Sequence, residues 1–324
     1  MLEKEYFGYI EPFYNTNKEL YPDSLKLNAA RYCIHEQIRS KKYSKVFIPY
    51  YMCSSVFDEI KAENLRKYRL QSGMVPFFDE VPQEGDLIIY PNYFGIYDTR
   101  CEEVIKEYAG VDIMLDNTQA FYHFSDSAAA ICYSPRKFFE VTDGAYLISK
   151  QEIELPYERD FSADRYHALL LRCERGAGAG YQGHLNAEKE LADLGPKRMS
   201  ALTSRILKQI DYPSVRARRR SNFNLLHAEL HQFNELQIPD ISNFECPMVY
   251  PLLVRHDTLT ADLVKKHVFV PRWWATVKDA VPESWYEAHL SQFLVPLPVD
   301  QRYDESDMKK IADLVRDIIN GVAV

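Results

Sequence analysis

Residues 112–120 read Asp112-Ile-Met-Leu-Asp-Asn-Thr-Gln-Ala120, and residues 128–139 read Ala128-Ala-Ala-Ile-Cys-Tyr-Ser-Pro-Arg-Lys-Phe-Phe139. Each is a short apolar run that stops abruptly in polar residues. Runs of this kind fit strands buried on both faces of a sheet. Working outward, 45–49, 68–73, 86–90 and 145–149 have the same character, with helical patterns over 27–40, 54–64 and 99–109 between them. Strands separated by helices of this length imply right-handed crossovers. The fold class is therefore α/β, a mostly parallel sheet with flanking helices. Beyond it, 163–174, 185–194, 200–211 and 214–235 read as helices. Apolar runs at 247–254 and 267–270 and a final amphipathic helix over 305–320 suggest a smaller C-terminal α+β domain. The organisation expected is an N-terminal arm (1–26), a large α/β domain (27–160), a helical connector and interface segment (161–235) and the small domain (236–324).

The chain has 324 residues, 46% hydrophobic and 27% charged, with a formal net charge of −8. That balance argues against nucleic-acid binding, which needs a basic surface. The one basic run, Arg216-Ala-Arg-Arg-Arg220, is short and reads as a solvated helix face or an intersubunit ion-pair surface. Six scattered cysteines show no paired spacing, so no metal site is expected. No run of roughly 18 apolar residues suggests a membrane span, and no secretory leader is visible, so the cytoplasm is the expected compartment. Gly176-Ala-Gly-Ala-Gly180 lacks dinucleotide-binding spacing and context and reads as a mobile loop or lid. His123 reads as a surface or core residue.

Pyridoxal-phosphate (PLP) chemistry needs a lysine amine to carry the cofactor, an acid for the ring nitrogen, an anion site and groups that orient the ring. Asp116 ends its apolar run, where open α/β sheets bind ligands. Gln119, three residues on, can reach a ring hydroxyl. Lys137 lies in a turn among apolar residues, where desolvation favours its neutral, nucleophilic form. Each also has a plainer reading. A strand-end Asp often caps a helix, and a Lys beside aromatics often lies along the surface with its amine in water.

Asp116-Asn-Thr-Gln-Ala120 resembles the Asp-x-x-Gln-Ala segment of the DegT/StrS-like sugar aminotransferases, and Ile131-Cys-Tyr-Ser-Pro-Arg-Lys137 resembles their lysine segment. Phe47-Ile-Pro-Tyr-Tyr51, Asn92-Tyr-Phe-Gly95, Thr142-Asp-Gly144 and Arg198-Met-Ser200 resemble further elements of that family, in order along the chain. The resemblance implies fold type I of the PLP-dependent transferases. It implies that Lys137 is catalytic and carries PLP, that Asp116 pairs with the ring nitrogen, and that Gln119 contacts the ring oxygen. The Ala29-Ala30-Arg31 turn would offer backbone amides to the phosphate. A homodimer with shared active sites is implied. So is amino transfer, often from glutamate, to a keto sugar that is nucleotide-linked, as in surface polysaccharide or glycoconjugate biosynthesis.

Three positions depart from the family. Ala29-Ala30 replaces a Ser-Gly pair, Cys132 replaces a serine, and Pro196 stands near a usual asparagine. Ser134, Arg31, Arg198 or Tyr51 could rebuild the anion site. Arg272 and Arg302, with Tyr303, are candidate substrate ligands because guanidinium bonds carboxylate or phosphate in a fork. Each arginine could equally form a structural ion pair. Trp273 and Trp274 could stack a sugar or base, but two in succession cannot share one face of a strand, so at most one would line the site. Two alternatives remain open: a sugar dehydratase of the same fold, disfavoured by Lys137, and a non-catalytic or regulatory relative with weakened cofactor binding.

Overall fold

The computed structural model describes residues 12–13, 17–60 and 62–321. Of the expected N-terminal arm, residues 1–11 and 14–16 lie outside these. The main sheet has eight strands: β1 (Leu25–Leu27), β2 (Val46–Pro49), β3 (Leu65–Gln71), β4 (Val75–Phe77), β5 (Leu87–Pro91), β6 (Asp112–Asn117), β7 (Ala130–Tyr133) and β8 (Ala145–Ser149). Their order is β1-β8-β7-β6-β5-β2-β3-β4. The five central strands from β7 to β3 run parallel, while β8, β1 and β4 add antiparallel pairings at the two edges.

Alternation along each strand sorts side chains onto two faces. Val46, Ile48, Leu87, Ile89, Met114 and Cys132 pack under α1 (Ala30–Ser40) through Tyr32, Cys33 and Ile34. Phe47, Ile88, Tyr90, Leu115 and Tyr133 form the opposite, aromatic face. The chain then passes through α2 (Asp98–Glu107), a helical hairpin of α3 (His167–Arg175) and α4 (Ala177–Asp193), then α5 (Ala201–Leu207) and the long α6 (Tyr212–Leu230). The C-terminal part pairs β9 (Val249–Leu253) with β10 (Leu294–Pro298) and adds α7 (Leu259–Lys265), α8 (Val277–Ala280), α9 (Tyr286–Phe293) and α10 (Glu305–Ile319). Its apolar side chains run continuously into the aromatic face of the main sheet.

Several expected elements differ. The helix expected from residue 27 begins at Ala30, because Leu27 is held extended by pairing with Ala145. The helix expected over 54–64 is a single 3-10 stretch, Ser54–Glu59, which ends before β3 begins. Residues 267–270 form no strand. The supposed Gly-rich loop is the hairpin joint followed by helix. Gly176 turns the chain at φ +84°, and a Cβ on Gly180 would stand 2.5 Å from the Ala168 carbonyl oxygen. Glycine there lets α4 approach α3, so packing overrides its poor helix propensity.

Candidate active site

The parallel strands end on one edge, and the central candidates stand there. In-register pairing sets Asp116 of β6 opposite Cys132 of β7. The 3-10 turn Pro135–Lys137 follows, closed by the Lys137 N–H donating to the Ser134 carbonyl at 3.3 Å. Asp116 is buried, and its Oδ1 accepts from the Thr118 N–H at 3.0 Å and the Cys132 thiol at 3.5 Å. Among the described residues nothing hydrogen-bonds Oδ2.

Lys137 is exposed to solvent, with protein beside its amine that partly desolvates it. That desolvation lowers its pKa. The Asp116 carboxylate and the Cys53 thiol oppose the shift, and Arg136 adds to it. The unfolded chain therefore binds a proton at Lys137 over a pH range in which the folded chain does not. Stability rises with pH from the folded pKa up to the ordinary lysine value of about 10.4. Lys137→Met, which has no amine to desolvate, is expected to melt above the parent at pH 7, with the gap shrinking as pH rises towards 10. Thermal denaturation at several pH values checks it, and a pH-independent gap would contradict it.

Gln119 is buried, and its Oε1 accepts from the Phe94 N–H at 2.7 Å. Only its amide N–H groups are left for a ligand. Phe94 belongs to the Asn92-Tyr-Phe-Gly95 turn, which Asn92 closes by donating to Asp98 at 2.6 Å. Ala29, before α1, is extended and provides no side-chain cap, so the Ala30 and Arg31 amides at the helix start are not met by a capping side chain. Asn28 fixes the loop holding Pro196, donating to the Gly195 carbonyl and accepting from the Lys197 N–H, both at 3.0 Å. Arg198 is exposed. Behind Lys137, buried Asp143 accepts from the Ser200 N–H and hydroxyl, both at 2.8 Å, so Thr142-Asp-Gly144 and Arg198-Met-Ser200 brace each other.

Ser134 is buried and makes no side-chain hydrogen bond among the described residues. Tyr51 is fully enclosed, with its ring 4.5 Å from Trp274 and 6.0 Å from Tyr93, and its hydroxyl lacks a partner. It faces the aromatic core rather than solvent. His123 is buried behind Asp116, beside Asn117 and Glu102. Arg272 is exposed. Arg302 already spends its fork on Asp300, at 2.7 and 2.9 Å, and lies 5.4 Å over the Tyr303 ring, so a substrate anion would have to compete for it. The restriction on the tryptophans is corrected. Residues 271–276 are a turn, and Trp274 at φ +48° lets Trp273 stack on Phe94 at 5.9 Å while Trp274 meets Tyr51.

No protein-family model matches the sequence and no curated protein matches it. The likeness lies in three dimensions. The aminotransferase TlmJ of Streptoalloteichus hindustanus aligns with 92% of this chain and 86% of its own, at TM-score 0.62 and 13% identity. The sugar aminotransferase CalS13 of Micromonospora echinospora aligns with 91% and 87%, at 0.64 and 11%. The chain shares the fold of these two structures. An Escherichia coli GDP-4-keto-6-deoxy-D-mannose-3-dehydratase, solved with hydrated PLP, aligns with 90% and 87%, at 0.61 and 11%.

Placed on this fold, the donor set fits PLP in kind. It offers a desolvated amine, a carboxylate oxygen without a partner and a helix start without a side-chain cap. Reading the sequence missed three contributors. Cys53, just past β2, acts on the Lys137 amine. Glu188 of α4 pairs with Arg136. Arg219 of α6 is buried and donates to the Phe138 carbonyl at 3.3 Å. Only Arg219 had a signal: it falls at helical spacing with Tyr212, Phe223, Leu226 and Leu230 on the buried face.

Proposed function

We propose that this chain is a PLP-dependent aminotransferase that moves an amino group, with glutamate as donor, onto the keto carbon of a nucleotide-linked sugar. The observation that carries the reading is the placement of buried Asp116 on β6 and the Lys137 turn after β7 at the C-terminal edge of the parallel strands. PLP, when bound, supplies an electron sink for the pair left when an amine's α carbon loses its proton. Lys137 would hold the cofactor and then, as a free amine of lowered pKa, take up and return that proton. Asp116 would keep the ring nitrogen charged through Oδ2. The Gln119 amide would orient the ring oxygen, and the Ala30 and Arg31 N–H groups would meet the phosphate. Support comes from the fold likeness to sugar aminotransferases and from the sequence motifs. A homodimer with shared sites, a cytoplasmic compartment and a role in polysaccharide or glycoconjugate synthesis belong to the same reading.

Added PLP is expected to give the purified protein a visible absorption band that glutamate bleaches and a keto acid restores. Lys137→Ala should lack the band and lose transfer by more than about a thousandfold. Protein that stays colourless and takes up no PLP would refute the reading. A band that no amino donor changes would favour the non-catalytic relative.

A further inference from the structure

Arg136 immediately precedes Lys137, and its guanidinium reaches across to α4, where it pairs with Glu188. His184, one turn earlier on α4, lines the space beside that carboxylate, and the Arg31 charge in the first turn of α1 also acts on it. Burial would raise the Glu188 pKa, but Arg136, His184 and Arg31 outweigh it and hold the group below the usual carboxylate range. Between the turn and the helical hairpin lies a cavity of about 110 Å³ lined by Arg136, Glu140, Thr142, Arg165, His184 and Glu188. Arg165 is committed elsewhere, to Asp160 at 2.6 Å and Glu190 at 2.9 Å. The guanidinium next to Lys137 is thus spent on one side-chain carboxylate, which offers it the same pair of oxygens that a phosphate would.

The geometry points to Glu188 as an internal stand-in for phosphate. Arg136 is an anion ligand of this site, supplying what Ala29 and Cys132 lack, and Glu188 holds it until a phosphate ester displaces it. The anion is either the cofactor's monoester or the substrate's diphosphate. Only the first assignment rests on the PLP reading. Displacing one anion by another from the same guanidinium is a competition, so the free affinity of the site is lowered by the fraction of time Glu188 is seated. Removing the carboxylate's charge must tighten anion binding, and removing the guanidinium must weaken it.

The test compares the parent chain with Glu188→Gln and Arg136→Gln. PLP and pyridoxal, which lacks the phosphate, are titrated by absorbance, and pyrophosphate is titrated by its effect on the melting temperature. For a cofactor phosphate, Glu188→Gln should bind PLP about tenfold more tightly and Arg136→Gln about tenfold more weakly, with pyridoxal alike in all three. For a substrate diphosphate, PLP affinity should stay constant while the pyrophosphate shift grows in Glu188→Gln and shrinks in Arg136→Gln. Variants that match the parent for both anions, or that both weaken binding as a broken structural pair would, overturn the inference. If even the parent takes up no PLP, the cofactor reading fails separately, and the pyrophosphate titration still decides whether the anion site exists.

Discussion

Arg219→Met is expected to cost about 2–4 kcal/mol of folding free energy, read as a lowered denaturant midpoint at unchanged slope. The side chain is 2% exposed, and no carboxylate pairs with it among the described residues. Its charge is met by neutral acceptors instead. It donates to the Met248 carbonyl and to Gln301 Oε1, each at 3.0 Å, and to the Phe138 carbonyl at 3.3 Å, with its guanidinium 4.5 Å over the Phe138 ring. Burial lowers its pKa, so holding the charge is itself unfavourable. Methionine removes that penalty and keeps most of the volume. It also strands the Met248 and Gln301 acceptors, at about 1–3 kcal/mol each, which is why the net sign is destabilising. Phe138 keeps a second donor, Gln301 Nε2 at 2.7 Å. Arg219→Lys, a compact charge without the planar fork, should recover part of the loss. A neutral result for methionine would mean that the acceptors find other donors.

The same residue shows where sequence reading stops. β5, β6 and β8 are legible to within a residue because buried apolar runs between polar residues have few alternative readings. β1 and β4 are not, since three residues such as Leu25–Leu27 become a strand only when β8 lies alongside. Asp116, Gln119 and Lys137 could be named as candidates because strand ends mark an open sheet's binding edge and, above all, because their segments resemble those of the DegT/StrS-like family. Their partners could not. The Phe94 amide that occupies Gln119 is 25 residues away, Gln301 reaches Phe138 across 163 residues, and Glu188 meets Arg136 across 52. Arg216-Ala-Arg-Arg-Arg220 reads in sequence as a solvated helix face or an intersubunit ion-pair surface, yet the helix divides it. Arg216 meets Glu245 at the surface, Arg220 caps the 241–245 carbonyls, and Arg219 points into the core.

Gly95→Ala is expected to be the most damaging single methyl in the chain, at about 2–5 kcal/mol, and to loosen the candidate site with it. Gly95 sits at φ +71°, a left-handed conformation that costs an L residue about 1–2 kcal/mol. A Cβ there would lie 2.5 Å from the Gln119 carbonyl oxygen, 2.6 Å from that of Cys246 and 3.1 Å from the Met248 nitrogen. All three are backbone atoms, which cannot swing aside as a side chain can, so overpacking adds about 1–3 kcal/mol. The neighbouring contacts would carry the displacement. Phe94 donates its N–H to Gln119 and accepts from the Met248 N–H at 2.8 Å, tying Gln119 to the segment Arg219 also holds. Gly110→Ala is the control. Gly110 is at φ +97° with nothing within 4 Å of a built Cβ, so only the conformational cost applies. The difference between the two variants in denaturation midpoint isolates the backbone contact. Equal losses would show that Gly95 is needed for its φ alone, and Gln119 would then keep its place in the variant, with PLP uptake unchanged.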